Sequence, residues 1–143
     1  MENENLKQNY EHCNHEKFKM RYHIIFSTKY RKKLLGPIID DVKASMKRAE
    51  AMQDKWSIEV MKIDIQKCDH IHFLIRATPT CQISDIIHKL KQVSTYDMWQ
   101  KHHDYLTKFY WSGQHHLWTR GYFCTTIGDV SEKTLQAYIE NQG

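Results

Sequence analysis

The chain has 143 residues, 41% hydrophobic and 12% aromatic, enough apolar material to close one core and too much for wholesale disorder. Its net charge of +4, with ten histidines counted as neutral, admits an anionic partner without demanding one. Cys13, Cys68, Cys81 and Cys124 are scattered with no CxxC pair, which argues against a zinc ribbon or a disulfide scaffold, and no apolar run approaches the roughly 20 residues of a membrane span.

Residues 1–18 are polar and mixed in charge and read as a flexible arm, with 19–143 as a single domain. The arm lacks the apolar centre of a signal peptide, so a cytoplasmic protein without membrane partners is expected. MRYHIIFST (20–28) is rich in β-branched and aromatic residues and predicts a strand. The basic run KYRKKLL (29–35) follows, and Gly36-Pro37 opens a helix whose apolar stripe is Ile38, Ile39, Val42, Met46 and Ala49. WSIEVMKIDI (56–65) predicts a second strand, with a change of phase between Val60 and Met61 that would mark a bulge. HIHFLIRAT (70–78) predicts a third, joined to the second by the short QKCD turn as an antiparallel hairpin and ended by Pro79.

Ile83, Ile86, Ile87, Leu90 and Val93 then define a second amphipathic helix running to about residue 102. HDYLTKFYWSGQHH (103–116) has no clear period and reads as a loop. LWTRGYFCTTIG (117–128) predicts a fourth strand, and DVSEKTLQAYIENQG (129–143) a closing helix with Asp129 as N-cap and Glu132 completing a capping box. The order β-α-β-β-α-β-α places the chain in the α+β class. Its first six elements form a ferredoxin-like or RRM-like antiparallel sheet with two helices on one face.

That arrangement sharpens one question. In 70–75 the side chains alternate, so Ile71, Phe73 and Ile75 share the helix-covered face, while His70, His72 and Leu74 share the other. An i, i+2 pair of imidazoles in a strand brings two nitrogens within reach of one ion. The alternative is a polar face whose histidines hydrogen-bond to neighbours. In the closing helix Leu135, Tyr138, Ile139 and Gln142 lie on one face. Laid across the open side of the sheet, that face would bring a phenol and an amide oxygen to the histidines, a constellation suited to phosphoryl transfer. Otherwise Tyr138 is a half-buried aromatic in an amphipathic stripe. Asp69, beside the pair, reads as a turn carboxylate.

YHIIFSTKYRKKLL (22–35), DHIHFLI (69–75), LWTRGYFCTTIG (117–128) and YIENQ (138–142), in this order and spacing, resemble the single-tyrosine HUH transposases of the insertion-sequence 200/605 type; His70-Ile71-His72 is the His-hydrophobe-His element. The resemblance runs from about residue 20 to the end. It implies that Tyr138 is the nucleophile, that His70 and His72 bind a divalent cation, Mg2+ or Mn2+, and that Gln142 completes the metal site. It also implies a homodimer acting on single-stranded DNA with subterminal hairpins, cut and rejoined through a 5′-phosphotyrosine link. For DNA contacts the sequence offers Lys29, Arg31, Lys32 and Lys33 after the first strand, and Lys89 and Lys91 in the second helix. Tyr105, Phe109, Tyr110, Trp111 and Trp118 are suited to base stacking, to a dimer contact or to a satellite core. Two other readings stand beside this one: a non-catalytic nucleic-acid-binding module of ferredoxin-like fold, and a domesticated tyrosine nuclease.

Overall fold

A computed structural model describes residues 18–127. The closing helix, with Asp129, Glu132, Tyr138 and Gln142, and nearly all of the N-terminal arm therefore lie outside the described residues. Phe18, where the arm was expected to end, is already buried.

Strands β1 (Met20–Ser27), β2 (Trp56–Ile63), β3 (His70–Ala77) and β4 (Phe123–Thr126) form one antiparallel sheet in the order β2-β3-β1-β4. Helices α1 (Leu35–Ala51) and α2 (Ile83–Lys101) supply the two crossovers, which is the ferredoxin-like arrangement read from the sequence. Pro37 sits in the first turn of α1, where its missing N–H costs nothing. Ile38, Val42, Met46 and Ala49 from α1 and Ile86, Leu90, Val93 and Met98 from α2 pack on Tyr22, Ile24 and Phe26 of β1 and Ile71, Phe73 and Ile75 of β3. At its centre Phe26 and Phe73 meet edge to face with ring centroids 5.0 Å apart, an arrangement worth about 0.5–1.5 kcal/mol beyond area burial. None of the described helices is long and apolar enough to cross a membrane.

Three local departures from the sequence reading have physical causes. The bulge lies between Ile58 and Val60, earlier than the expected Val60/Met61 step. Arg21 and Arg76 face each other across β1 and β3, a like-charge pair that would repel. The bulge at Glu59 brings one carboxylate to both guanidinium groups. The loop 103–116 contains a short helix, α3 (His103–Leu106). The aromatics of this loop, with Trp118 just beyond it, serve mostly the interior: Tyr110 and Trp118 are buried, Tyr105 and Phe109 pack against the core, and Trp111 alone of the five is exposed.

The third departure is the fourth strand, far shorter than the predicted 117–128. A single bridge joins Thr28 to Trp118, and regular pairing resumes only at Ile25 with Phe123. Between those points β1 spends two residues and its partner four, so the segment around Arg120 is extruded from the sheet. Lys91 holds it there. Its ammonium donates to the carbonyls of Thr119, Arg120 and Gly121 at 2.7, 3.0 and 3.0 Å, donors that a regular strand would have found in the ladder.

Candidate active site on the open face of the sheet

The face of the sheet opposite the helices carries the histidines. Register sets His70 opposite Ser27, His72 opposite Ile25 and His23 opposite Leu74. His23 is thus the diagonal neighbour of His72 on the same face. All three imidazoles are buried, at 0% exposure for His23, 6% for His70 and 2% for His72. Buried polar rings need partners, and His70 and His72 have different ones.

His70 directs Nδ1 at Asp69 Oδ1, 2.7 Å away. Asp69 is itself buried and takes a second hydrogen bond at Oδ2 from Arg31 Nε, at 3.0 Å. Burial pushes the Asp69 carboxyl up, but the hydrogen bonds and positive charges of His70 and Arg31 outweigh that and leave its pKa below the ordinary carboxylate value. An ionised Asp69 accepts the Nδ1 proton of His70, so the ring's lone pair sits on Nε2. The turn carboxylate of the sequence reading is therefore a buried partner of the histidine pair.

His72 pairs Nδ1 with Nε2 of His23 at 3.0 Å, and the two rings stack with centroids 5.2 Å apart and planes 12° from parallel. His72 Nε2 is buried and has no hydrogen-bond partner among the described residues. Protonated, that nitrogen would be a buried N–H without an acceptor, at a cost of roughly 1–3 kcal/mol. The other tautomer donates from Nδ1 to His23, leaves a lone pair at His72 Nε2 and puts the proton of the His23 ring on its Nδ1, so a cation at His72 Nε2 would select it. Burial, then the charges of His70 and His23, lower the His72 pKa to about 4, so the ring is neutral at physiological pH. The rings of His70 and His72 lie 5.0 Å apart between centroids, close enough for both to reach one ion.

This donor set fits a divalent cation: two imidazoles, each with Nδ1 engaged behind it and Nε2 left over, one Nε2 buried without a partner among the described residues. Among the described residues no group of three or more His, Cys, Asp or Glu is arranged to hold a metal. His23 was absent from the sequence reading. The signal for it was the parity of YHIIFS: with Tyr22, Ile24 and Phe26 facing the core, His23 faces away, and antiparallel pairing with 70–77 brings it beside His72.

The basic run lies at the same end of the sheet. Thr28 N donates to Asp69 O at 2.9 Å, which ties the start of that run to the residue before His70. Arg31, Lys32 and Lys33 are exposed, while Lys29 is half-buried with its ammonium 5.2 Å from the Tyr30 ring. Lys89 and Lys91 sit on α2, in the layer behind the sheet. Burial lowers the Lys91 pKa, and its protons are engaged by the extruded loop, so it serves the fold rather than offering a free charge to a phosphate. Tyr138 and Gln142 are not among the described residues.

Comparison with known proteins follows the same lines. The family described as "Transposase IS200 like" matches residues 16–142. The ISDra2 transposase TnpA of Deinococcus radiodurans is 30% identical over 126 residues, covering 87% of this chain and 85% of that protein. The transposase for insertion sequence element IS200 of Salmonella typhimurium is 28% identical over 129 residues, covering 90% of this chain and 80% of that one. Among solved structures, a crystal structure described as a candidate transposase of Deinococcus radiodurans superposes with a TM-score of 0.66 at 26% identity, covering 87% of this chain and 92% of that one. A REP-associated tyrosine transposase bound to a REP hairpin shares the fold, with a TM-score of 0.60 at 10% identity, covering 85% of this chain and 63% of that one.

Proposed function

The chain belongs to the IS200-like transposase family, and from that premise we propose that it cleaves and rejoins single-stranded DNA at the ends of an insertion sequence, with Tyr138 as nucleophile. The observation that carries the reading is the pair of imidazoles on the sheet face opposite the helices, each engaged at Nδ1, with the buried His72 Nε2 left over. A divalent cation, Mg2+ or Mn2+, would be held by His70 and His72 with Gln142 as third protein ligand. When bound, it would polarise the scissile phosphate and offset the charge that builds on its oxygens, commonly the largest contribution to such catalysis.

The protein's own part is then as follows. The phenolate oxygen of Tyr138 forms a bond to phosphorus, and the bond from phosphorus to the 3′ oxygen breaks. The 5′ phosphate stays on tyrosine and the departing 3′ oxygen takes up a proton. Attack by another 3′-OH on that link reverses the step with a new partner, so joining needs neither ATP nor water. A free tyrosine has a pKa near 10, so stabilising the phenolate is part of the work of the site. The exposed Lys32 and Lys33, beside the histidine end of the sheet, suit the backbone of the bound strand. A homodimer acting on DNA with hairpins near the element's ends is part of the same proposal, supported by family membership.

The test is incubation of the purified protein with hairpin-bearing single-stranded DNA and Mg2+ or Mn2+. A covalent protein–DNA adduct that disappears in Tyr138→Phe is expected. Tight hairpin binding without an adduct, unchanged by Tyr138→Phe, would instead identify a non-catalytic binding module.

A further inference from the structure

We propose that Arg31 is a positioning residue for the metal-facing imidazole of His70, acting through Asp69, and that it is not one of the phosphate contacts. The assignment rests on the metal reading above and adds a residue to it.

It starts from the backbone. Tyr30 and Arg31 both have positive φ, 60° and 53°, two consecutive non-glycine residues in the left-handed region. Such a conformation persists only where the surroundings over-determine it. They do so here: Lys29 N donates to Leu117 O at 2.8 Å, Tyr110 Oη to Lys29 O at 2.8 Å, Arg31 N to Thr28 O at 2.9 Å, and Thr28 Oγ1 to Lys32 O at 2.8 Å. The turn is pinned from both flanks, and its effect is to fold the guanidinium back onto the sheet.

There the guanidinium meets two groups that belong to His70. Its Nε donates to Asp69 Oδ2 at 3.0 Å, and its Nη1 to Ser27 Oγ at 3.2 Å. Ser27 is the residue opposite His70 in the ladder. Asp69 Oδ1 is already engaged by His70 Nδ1, so both carboxylate oxygens are held and the carboxylate plane is fixed. The Asp69 backbone is fixed too, its carbonyl accepting from Thr28 N at 2.9 Å. A carboxylate that cannot rotate fixes both the tautomer and the ring plane of the histidine it serves. A lysine would supply the charge without the planar fork. Lys32 and Lys33, next along the same turn and exposed, remain for phosphates.

The experiment uses the full-length protein with Arg31→Gly, which tolerates the left-handed φ without strain, and Arg31→Lys, which keeps the charge. Two readouts are taken. In metal-free protein at alkaline pH, ring 1H–15N spectra report the His70 tautomer. We expect one Nδ1–H species in the wild type and a mixture in Arg31→Gly. Mn2+ affinity, measured by calorimetry, is expected to fall about tenfold or more in Arg31→Gly, less in Arg31→Lys, and no further in Asp69→Asn with Arg31→Gly than in Asp69→Asn alone.

An unchanged tautomer in Arg31→Gly overturns the assignment. So does an unchanged Mn2+ affinity, the more clearly if the slope of log Kd for hairpin DNA against log salt falls by about 0.7–0.9, the mark of one lost phosphate contact. A wild type that orders His70 yet binds no Mn2+ would instead sink the metal reading and leave the link from Arg31 through Asp69 to His70 standing.

Discussion

The two faces of the β1–β3 ladder are built from alternate residues of the same two strands and share almost nothing else. On the helix-covered face Tyr22, Ile24, Phe26, Ile71, Phe73 and Ile75 form an apolar layer. On the open face His23, Ser27, His70 and His72 are joined by hydrogen bonds to one another or to Asp69 and Arg31, with Leu74 packed against Val60 and Ile127 beside them. One residue step separates the layer that holds the fold from the layer that carries the chemistry. A substitution on either strand should therefore damage one property and largely spare the other.

The strongest way to break that division is on the chemical side. His70→Ala combined with His72→Ala removes both imidazole donors, and adduct formation should drop by at least about a thousandfold, the scale on which electrostatic stabilisation is lost. Hairpin affinity should change little, because the helix-covered core is untouched. Concurrent loss of adduct, hairpin binding and the cooperative thermal transition would show that the two faces are not separable. The mirror experiment is Phe73→Ala. Phe73 is fully buried against Phe26, and its truncation should cost about 3–5 kcal/mol of stability. Protein that remains folded should still form the adduct. A shift of the denaturation midpoint equivalent to less than 1 kcal/mol would mean that this layer is looser than its burial implies.

The faces also differ in how well the sequence discloses them. Period-2 alternation in 22–26 and 71–75 exposed the apolar layer directly, because burial selects residue type at every second position. The HxH spacing exposed His70 and His72. It did not expose His23, whose face the parity of YHIIFS discloses but whose place beside His72 is set by the pairing register, nor Asp69 and Arg31, whose roles depend on a turn conformation that no local pattern encodes. Arg31 is the clearest instance. Read as one member of a basic run, it looks like a phosphate ligand, and only the positive φ at Tyr30 and Arg31 turns it toward Asp69. The fourth strand failed for a related reason. LWTRGYFCTTIG has strand composition throughout, yet Lys91, 28 residues earlier than Thr119, withdraws part of it from the ladder.

Acid should strain the open face first. His72 is held near pKa 4 in the folded chain against 6.5 for a free side chain, chiefly by burial, and burial lowers His23 as well. Between those values the unfolded chain binds a proton that the folded one refuses. The stabilisation is therefore fully present above about pH 6.5 and is lost as pH falls toward 4. Asp69, with its pKa below the ordinary value, extends the loss in the same direction at lower pH. The urea midpoint of metal-free protein should decline across this window, and less steeply in His72→Gln, which cannot titrate. A wild-type midpoint that stays flat through it would mean that the histidines are hydrated when no metal is bound.

The smallest expected effect separates the two kinds of lysine. Lys91 donates to three loop carbonyls and lies 5.2 Å from the Phe26 ring centroid and 5.8 Å from that of Tyr122. Lys91→Met keeps the length of the side chain and removes the donors. It should cost about 1 kcal/mol of stability, since water can replace part of what the half-exposed loop loses, and it should leave the salt dependence of hairpin binding unchanged. Lys32→Met should do the reverse: no measurable change in the denaturation midpoint, and a log Kd against log salt slope shallower by about 0.7–0.9 for the phosphate it no longer neutralises. If Lys91→Met reduced the slope while stability held, the loop tether would be secondary and the helix layer would belong to the DNA surface after all.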